Sequence, residues 1–218
     1  MSPSAETNLA PFPAPAGKGP QVALFIDKFE WHAREMLRAF TRLGARCVPM
    51  RLSACRFDTR RPSGIAMPGF GPNLPDFALV RAVGAGTFEA ITLRLGILHA
   101  MIGQGVPVTN SARSIECCVD KATTSYLLHK ENIPTPPTFT LQSPRAARAL
   151  VRSECRNGPL VLKPLFGAQG RGLQLIRHES DLPDIETVAG VYYLQRYIGH
   201  QNIAGDSESY SDIRVLVS

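Results

Sequence analysis

LVLKPLFGAQGRG, residues 160–172, runs directly into LQLI and predicts two short strands joined by a glycine-rich turn. Gly167, Gly170 and Gly172 permit positive φ, so successive backbone N–H groups can point at one anion, and Lys163 adds a charge beside them. A Rossmann loop would open a helix and a Walker loop would carry lysine after its last glycine, whereas strand-type residues follow here. The pattern predicts a phosphate under a β-hairpin, with a plain hairpin turn as the alternative.

The side-chain alternation of the first strand gives Lys163 its expected position. Leu160 and Leu162 are two residues apart and share one face, so Lys163 lies on the opposite face. We therefore expect the lysine to face a cleft beneath the hairpin.

Composition is that of a soluble globular chain with one large or two small domains. The chain has 218 residues, 44% hydrophobic residues and a net charge of +6, and no apolar run is long enough to span a membrane. Residues 1–20 are rich in proline and alanine and lack a signal-peptide core, which predicts a disordered tail. The arginines are dispersed rather than clustered, so nucleic acid is not a favoured partner.

The cysteines favour a reduced, cytoplasmic setting. There are five, an odd number, and none forms a CxxC pair. The adjacent Cys117 and Cys118 are interpreted as helix residues, with a reactive or metal-binding pair as the alternative.

Residues 21–110 alternate strand and helix patterns. Apolar runs at 21–27, 45–52, 76–83 and 106–110 predict strands, and a helical periodicity runs from Trp31 to Leu43. A second helix carries Ile91, Leu95, Leu98 and Met101, and a polar, glycine-rich loop fills the sequence up to Pro75. This alternation predicts a parallel sheet wrapped by helices, a Rossmann-like domain.

Residues 111–218 have a different pattern. A helical stretch is expected from residue 111 to Pro134, and a second helical stretch, from Ser143 to Arg156, is expected to begin with the cap Ser143. The glycine hairpin, an acidic turn at 180–186 and strands at 191–198 and 212–218 complete the prediction.

Three blocks of this second part, residues 110–141, 160–176 and 192–218, resemble in order and separation the ATP-grasp superfamily, most closely its RimK-type glutamate ligases. Residues 79–111 are further similar to the branch that adds glutamate to pterin-type coenzymes such as tetrahydromethanopterin. The resemblance implies an α/β chain with a Rossmann-like pre-ATP-grasp domain at 21–110. It implies an incomplete ATP-grasp domain at 111–218, α+β, with an antiparallel hairpin as lid.

The resemblance also implies a nucleotide site. Lys121 follows the helix cap Asp120, so its ammonium lies where the helix dipole disfavours a cation and where an anion would remove the conflict. A solvated surface lysine is the alternative. The residues expected to bind ATP are Lys121, Lys163, Gly167, Gln169, Gly170, Gly172, Gln195, Arg196, Tyr197, Ile198 and Asp212.

Several of these expectations carry alternatives. Gln169 and Arg171 at the hairpin tip contact either ligand or solvent. The segment 195–198 resembles the strand whose backbone recognises adenine, although the family often has an acidic residue at Arg196; Tyr192 and Tyr193 are equally compatible with core packing. Asp212 and Arg214 share a strand face and would otherwise form a plain ion pair.

The activity implied is that of a carboxylate–amine ligase that uses ATP and Mg²⁺ to add L-glutamate to a carboxylate acceptor through an acyl phosphate. Because the sequence stops at Ser218, before the family's acidic metal ligands, we expect an N-terminal part of a ligase without turnover by itself. No metal ligand is assigned within the sequence. A non-catalytic nucleotide-binding or regulatory module is the alternative, and a homo-oligomer is left open.

Overall fold

The structure is a computed structural model that describes residues 19–167, 170 and 172–199. The chain divides into two compact units, and the boundary lies between Glu116 and Cys117. The sequence places this boundary after residue 110. The predicted tail, apart from residues 19 and 20, the tip residues Gln169 and Arg171 and the strand at 212–218 lie outside the described residues.

The described residues of the first unit contain six strands and two α-helices, and a third α-helix crosses the boundary. The strands are β1 (Gln21–Phe25), β2 (Arg46–Met50), β3 (Arg56–Phe57), β4 (Ile65–Ala66), β5 (Phe77–Val80) and β6 (Val108–Thr109). The helices are α1 (Trp31–Arg42), α2 (Phe88–Gly103) and α3 (Ala112–Val119). Four strands form a parallel sheet in the order β2-β1-β5-β6.

Strand β1 is buried on both faces. Ala23 and Phe25 pack in the cluster that contains α2 residues, whereas Leu24 and Ile26 pack with Ala33 of α1. Period-2 alternation sends successive side chains to opposite faces, so an entirely apolar strand needs a helix on each side. This arrangement confirms the predicted Rossmann-like α/β unit.

The segment between β2 and β5 is more structured than the sequence suggests. The predicted loop contains the antiparallel hairpin β3–β4, and Cys55, Ile65, Met67 and Phe70 are buried in the main core. The apolar residues are too widely separated by polar ones to give a strand period. Their burial therefore appears only in the folded unit.

The second unit contains an antiparallel sheet. Its strands are β7 (Thr138–Leu141), β8 (Leu160–Lys163), β9 (Gln174–Ile176) and β10 (Tyr192–Arg196), in the order β7-β10-β8-β9. Its helices are α4 (Lys121–Lys130) and α5 (Pro144–Glu154). Ser143 caps α5 by accepting from the N–H of Ala146 at 3.3 Å, with Pro144 in the first turn, as predicted.

Two helices stand where the sequence predicts one stretch between residue 111 and Pro134. The break lies at Asp120, whose carboxylate accepts from the N–H groups of Ala122 at 2.8 Å and Thr123 at 3.2 Å. These bonds satisfy donors that a helix start leaves without partners, so they begin α4 afresh. The helix start predicted at Asp120 is confirmed, and it divides the predicted helical stretch into α3 and α4.

Candidate functional site

The glycine hairpin has the backbone conformation that its sequence predicts. Gly167, Gly170 and Gly172 have φ values of 149°, 67° and 73°. A Cβ on Gly172 would also lie 2.9 Å from Cγ of Pro164. Glycine is therefore needed at this position for both backbone conformation and space.

Lys121 connects the start of α4 to the hairpin. Its Nζ donates to the backbone oxygens of Leu165 at 3.3 Å and Gly167 at 2.9 Å. Its backbone N–H also points to the oxygen of Leu165, at 3.4 Å. The lysine is thus not a freely solvated surface residue, and its charge lies directly against the first turn of the hairpin.

Lys163 occupies the face of β8 that the alternation predicts. Leu160 and Leu162 are buried against α5, whereas Lys163 is half-buried on the other face. Its Nζ donates to Oε1 of Gln195 on β10 at 2.6 Å. A neutral amide therefore holds the ammonium in place.

The two lysines carry charges that no carboxylate among the described residues neutralises in an ion pair. Burial lowers the pKa of Lys163, and the nearby charge of Lys121 lowers it further. Burial also lowers the pKa of Lys121, against a smaller opposite effect of Asp120. Within the described part of the chain, neither ammonium forms an ion pair with a carboxylate. An anion placed between them would relieve both the mutual repulsion and the cost of burial.

Side-chain hydroxyls connect α4 to the same face of the sheet. The hydroxyl of Tyr193 lies 2.7 Å from Oγ of Ser125 on α4, and Nε2 of Gln195 donates to Oγ1 of Thr138 at 2.9 Å. Tyr192 lies on the opposite face and donates to the oxygen of Pro183 at 2.8 Å. Both tyrosines are buried. Core packing is the correct alternative for Tyr192, which lies in the cluster with Leu160 and Leu162, whereas Tyr193 lies on the face that carries Lys163 and Gln195.

The segment that follows Gln195 is partly occupied by internal hydrogen bonds. The N–H of Arg196 donates to Pro137 at 2.8 Å, and that of Tyr197 donates to Pro159 at 3.1 Å. Ile198 has an exposed side chain, and its N–H has no acceptor among residues 19–167, 170 and 172–199. Judged within the described part of the chain, the N–H of Ile198 is therefore available to a ligand, whereas those of Arg196 and Tyr197 are not.

The side chain of Arg196 is engaged elsewhere. It lies on the face opposite Gln195, where it donates to the carboxylate of Glu154 at 2.6 Å and to the backbone oxygen of Glu154 at 3.0 Å. Its predicted contribution to a nucleotide site is thereby confined to the backbone. Gln169 and Asp212, also predicted to bind nucleotide, lie outside the described residues.

Sequence reasoning missed Thr138 and Ser125. Both are short hydroxyl side chains in segments predicted as connection and helix, and nothing in their spacing indicates which strand or side chain they will face. The strand register supplies the missing information, since Thr138 pairs directly with Gln195.

The described residues carry two further findings. No group of three or more His, Cys, Asp or Glu side chains in them converges in a way that could hold a metal ion. None of the helices found in the same residues combines the length and apolar character needed to cross a membrane.

The part of the chain that matches a known family corresponds to the second unit. Residues 118–218 match the model of the RimK-like ATP-grasp domain. The tetrahydromethanopterin:alpha-L-glutamate ligase of Methanosarcina acetivorans is 37% identical over 102 residues, which cover 47% of this chain and 31% of the relative. The alpha-aminoadipate–LysW ligase LysX of Saccharolobus solfataricus is 29% identical over 121 residues, which cover 52% and 40%.

A solved structure shares the fold. The RimK domain protein ATP-grasp from Sphaerobacter thermophilus superposes with a TM-score of 0.62 at 22% identity, covering 82% of this chain and 64% of that one. The match confirms the ATP-grasp fold predicted for the chain. The chain spans between three and four tenths of the length of the two curated relatives.

Proposed function

We propose that this chain, whose residues 118–218 match the RimK-like ATP-grasp domain, functions as an ATP-dependent carboxylate–amine ligase. ATP transfers its γ-phosphoryl group to a substrate carboxylate, which gives an acyl phosphate and ADP. The amine of a second substrate then attacks the acyl carbon, an amide bond forms, and phosphate leaves. The role of the described residues is to bind and orient the nucleotide for the first of these steps.

The observation that carries the proposal is the proximity of two ammonium groups that form no ion pair with the described residues. Lys121 contacts the hairpin from the start of α4, and Lys163 on β8 lies close enough to Lys121 for the two charges to interact. The lowered pKa of Lys163, caused by burial and then by Lys121, indicates that the two charges repel each other. A triphosphate would lie against both charges and against the N–H groups of the glycine turn.

The other proposed nucleotide contacts lie at the end of β10. The N–H of Ile198, which has no acceptor among the described residues, supplies a donor for the adenine edge, and its exposed side chain supplies apolar surface for the ring. The backbone of Arg196 and Tyr197 flanks this position. Gln169, Gly170, Gly172 and Asp212 keep their proposed roles around the phosphates.

The relatives support L-glutamate as the amine and a carboxylate acceptor as the second substrate. One relative is named for glutamate and tetrahydromethanopterin, and another is named for alpha-aminoadipate and LysW. The two names therefore give different substrates. We therefore propose a coenzyme or carrier-protein carboxylate as the class of acceptor. Five free cysteines support a reduced cytoplasmic location. Since no metal-ligand group converges in the described residues, no step is assigned to magnesium.

Calorimetric titration with a non-hydrolysable ATP analogue tests the nucleotide part of the proposal. We expect saturable binding that competes with ATP and ADP and is weakened when Lys121 or Lys163 is replaced by alanine. Labelled L-glutamate, ATP and a panel of carboxylate acceptors test the ligase part in the full-length protein, with amide product as the readout. Absence of nucleotide binding contradicts both parts, whereas binding without amide formation points to a nucleotide-binding or regulatory module.

A further inference from the structure

The hydrogen bonds of the Gln195 side chain determine which end of its amide faces Lys163. The ammonium of Lys163 can only donate, so the oxygen of the Gln195 amide must face it, at 2.6 Å. The Gln195 nitrogen then faces Oγ1 of Thr138 at 2.9 Å. The Thr138 hydroxyl donates its own proton to the oxygen of Pro136 at 2.9 Å and presents a lone pair to the amide.

The strand register holds these groups together. Thr138 pairs directly with Gln195 across β7 and β10. Lys163 pairs with Tyr193, two residues before Gln195, so Lys163 and Gln195 are diagonal neighbours on one face. Thr138 is β-branched and has few χ1 rotamers, which keeps its hydroxyl in place. The orientation of the amide is thereby determined by the fold rather than by solvent.

We propose that Gln195, oriented by Thr138, is a positioning residue that fixes the Lys163 ammonium for a phosphate group without neutralising its charge. This inference rests on the proposed nucleotide site. A carboxylate in place of the amide would hold the ammonium equally well but would already occupy it as a counter-ion. The neutral amide leaves the lysine oriented, and its remaining N–H donors and full charge stay available for the ligand.

Two substitutions separate orientation from charge. Gln195→Glu preserves the size of the side chain and adds a negative charge next to Lys163, so we expect the affinity for the ATP analogue to fall about tenfold. Thr138→Val preserves the branched shape and removes the hydroxyl that orients the amide, with an expected loss of about threefold to tenfold. Thr138→Ser restores a hydroxyl and should recover most of the affinity.

Matched controls lie in the same sheet. Gln174→Glu adds the same charge on β9, where Gln174 pairs with Leu162 and hence faces away from Lys163. Thr140→Val removes a hydroxyl from β7 two residues beyond Thr138, and this hydroxyl makes no hydrogen bond among the described residues. Both controls should bind the analogue as wild type does.

The ammonium pKa of Lys163 provides a readout without nucleotide. The chain has five lysines, so ¹³C-labelled lysine resonances can be assigned with single substitutions. Gln195→Glu should raise the Lys163 pKa relative to wild type, whereas Gln174→Glu should leave it unchanged. If the side chain at position 195 does not contact the ammonium, Gln195→Glu will leave this titration unchanged.

The outcomes distinguish the inference from the proposed function. If the wild type binds the analogue while Gln195→Glu and Thr138→Val change neither its affinity nor the Lys163 pKa, the positioning role is overturned and the nucleotide site stands. If the wild type does not bind the analogue, the nucleotide site is overturned. In that case, the titration in the ligand-free protein still decides whether the side chain at position 195 lies against the Lys163 ammonium.

Discussion

The ammonium of Lys121 lies 2.9 Å from the backbone oxygen of Gly167, although the two residues are 46 positions apart in sequence. A cation at the start of a helix opposes the helix dipole, so the position is unfavourable unless other groups compensate. Two backbone oxygens of the hairpin provide part of that compensation. The helix start and the hairpin are therefore joined by a charged group, and a bound anion would stabilise both.

Replacing Lys163 with alanine should weaken ATP binding without unfolding the chain. The substitution removes a charge-assisted phosphate contact worth about 1.5–3 kcal/mol and little core packing, because Lys163 is only half-buried. Calorimetric titration of both proteins, at a matched folded fraction, measures the difference. Lys130→Ala, at the far end of α4, removes an exposed lysine and serves as the control. Equal affinities of the wild type and Lys163→Ala would rule out the phosphate contact.

Replacing Gly170 with valine should reduce nucleotide affinity more than a comparable substitution elsewhere. Gly170 has a φ of 67°, which a β-branched residue resists, and its N–H is expected to face phosphate. Gly190 has a φ of 82° with open space around it, so Gly190→Val imposes similar strain outside the hairpin. Thermal unfolding should show similar losses for both variants, about 1–2 kcal/mol each. Only Gly170→Val should lose affinity, and equal affinities would make the hairpin an ordinary turn.

The sequence was sufficient for the features that depend on local pattern. The parallel unit, the hairpin, the caps at Asp120 and Ser143 and the position of Lys163 all follow from periodicity or from the chemistry of single residues. The bond between Lys163 and Gln195 did not follow, because it depends on which strands pair and in which register. Antiparallel pairing of β8 with β10 brings together residues separated by 32 positions, and no local signal encodes that contact.

The role of Arg196 shows the same limit. Its position in the sequence indicates a segment that recognises adenine, but alternation along β10 sends its side chain to the face opposite Gln195. There it meets Glu154, which ends a helix predicted only approximately. Position in a motif therefore identified the strand, whereas the direction of the side chain required the fold.

As the pH rises, nucleotide affinity should begin to decline at a lower pH than the ordinary pKa of lysine would predict. Burial lowers the pKa of both Lys121 and Lys163 below 10.5, and repulsion from Lys121 adds to the effect at Lys163. A phosphate binds the protonated ammonium better, so affinity is constant below the lowered pKa values and declines as pH rises through them. Binding near those pKa values should be accompanied by proton uptake.

Calorimetry in buffers of different ionisation enthalpy measures this uptake. It should be absent below the lowered pKa values and present as the pH rises through them, and it should be smaller in Lys163→Ala. An affinity that declines only with the ordinary lysine titration, without proton uptake below it, would contradict the lowered pKa values.

Replacing Arg196 with alanine should reduce stability but leave nucleotide affinity unchanged. The guanidinium donates to the carboxylate and backbone of Glu154 from a side chain that is 14% exposed, so its loss leaves polar groups partly buried without partners. We expect a cost of about 2–3 kcal/mol in the free energy of unfolding.

Arg152→Ala breaks an ion pair in which the arginine is 56% exposed, and this control should cost less than about 1 kcal/mol. Urea unfolding measures both costs, and titration with the ATP analogue at a matched folded fraction measures affinity. Because the Arg196 side chain faces away from Lys163 and Gln195, a tenfold loss of affinity in Arg196→Ala would show that its guanidinium, and not only its backbone, reaches the nucleotide.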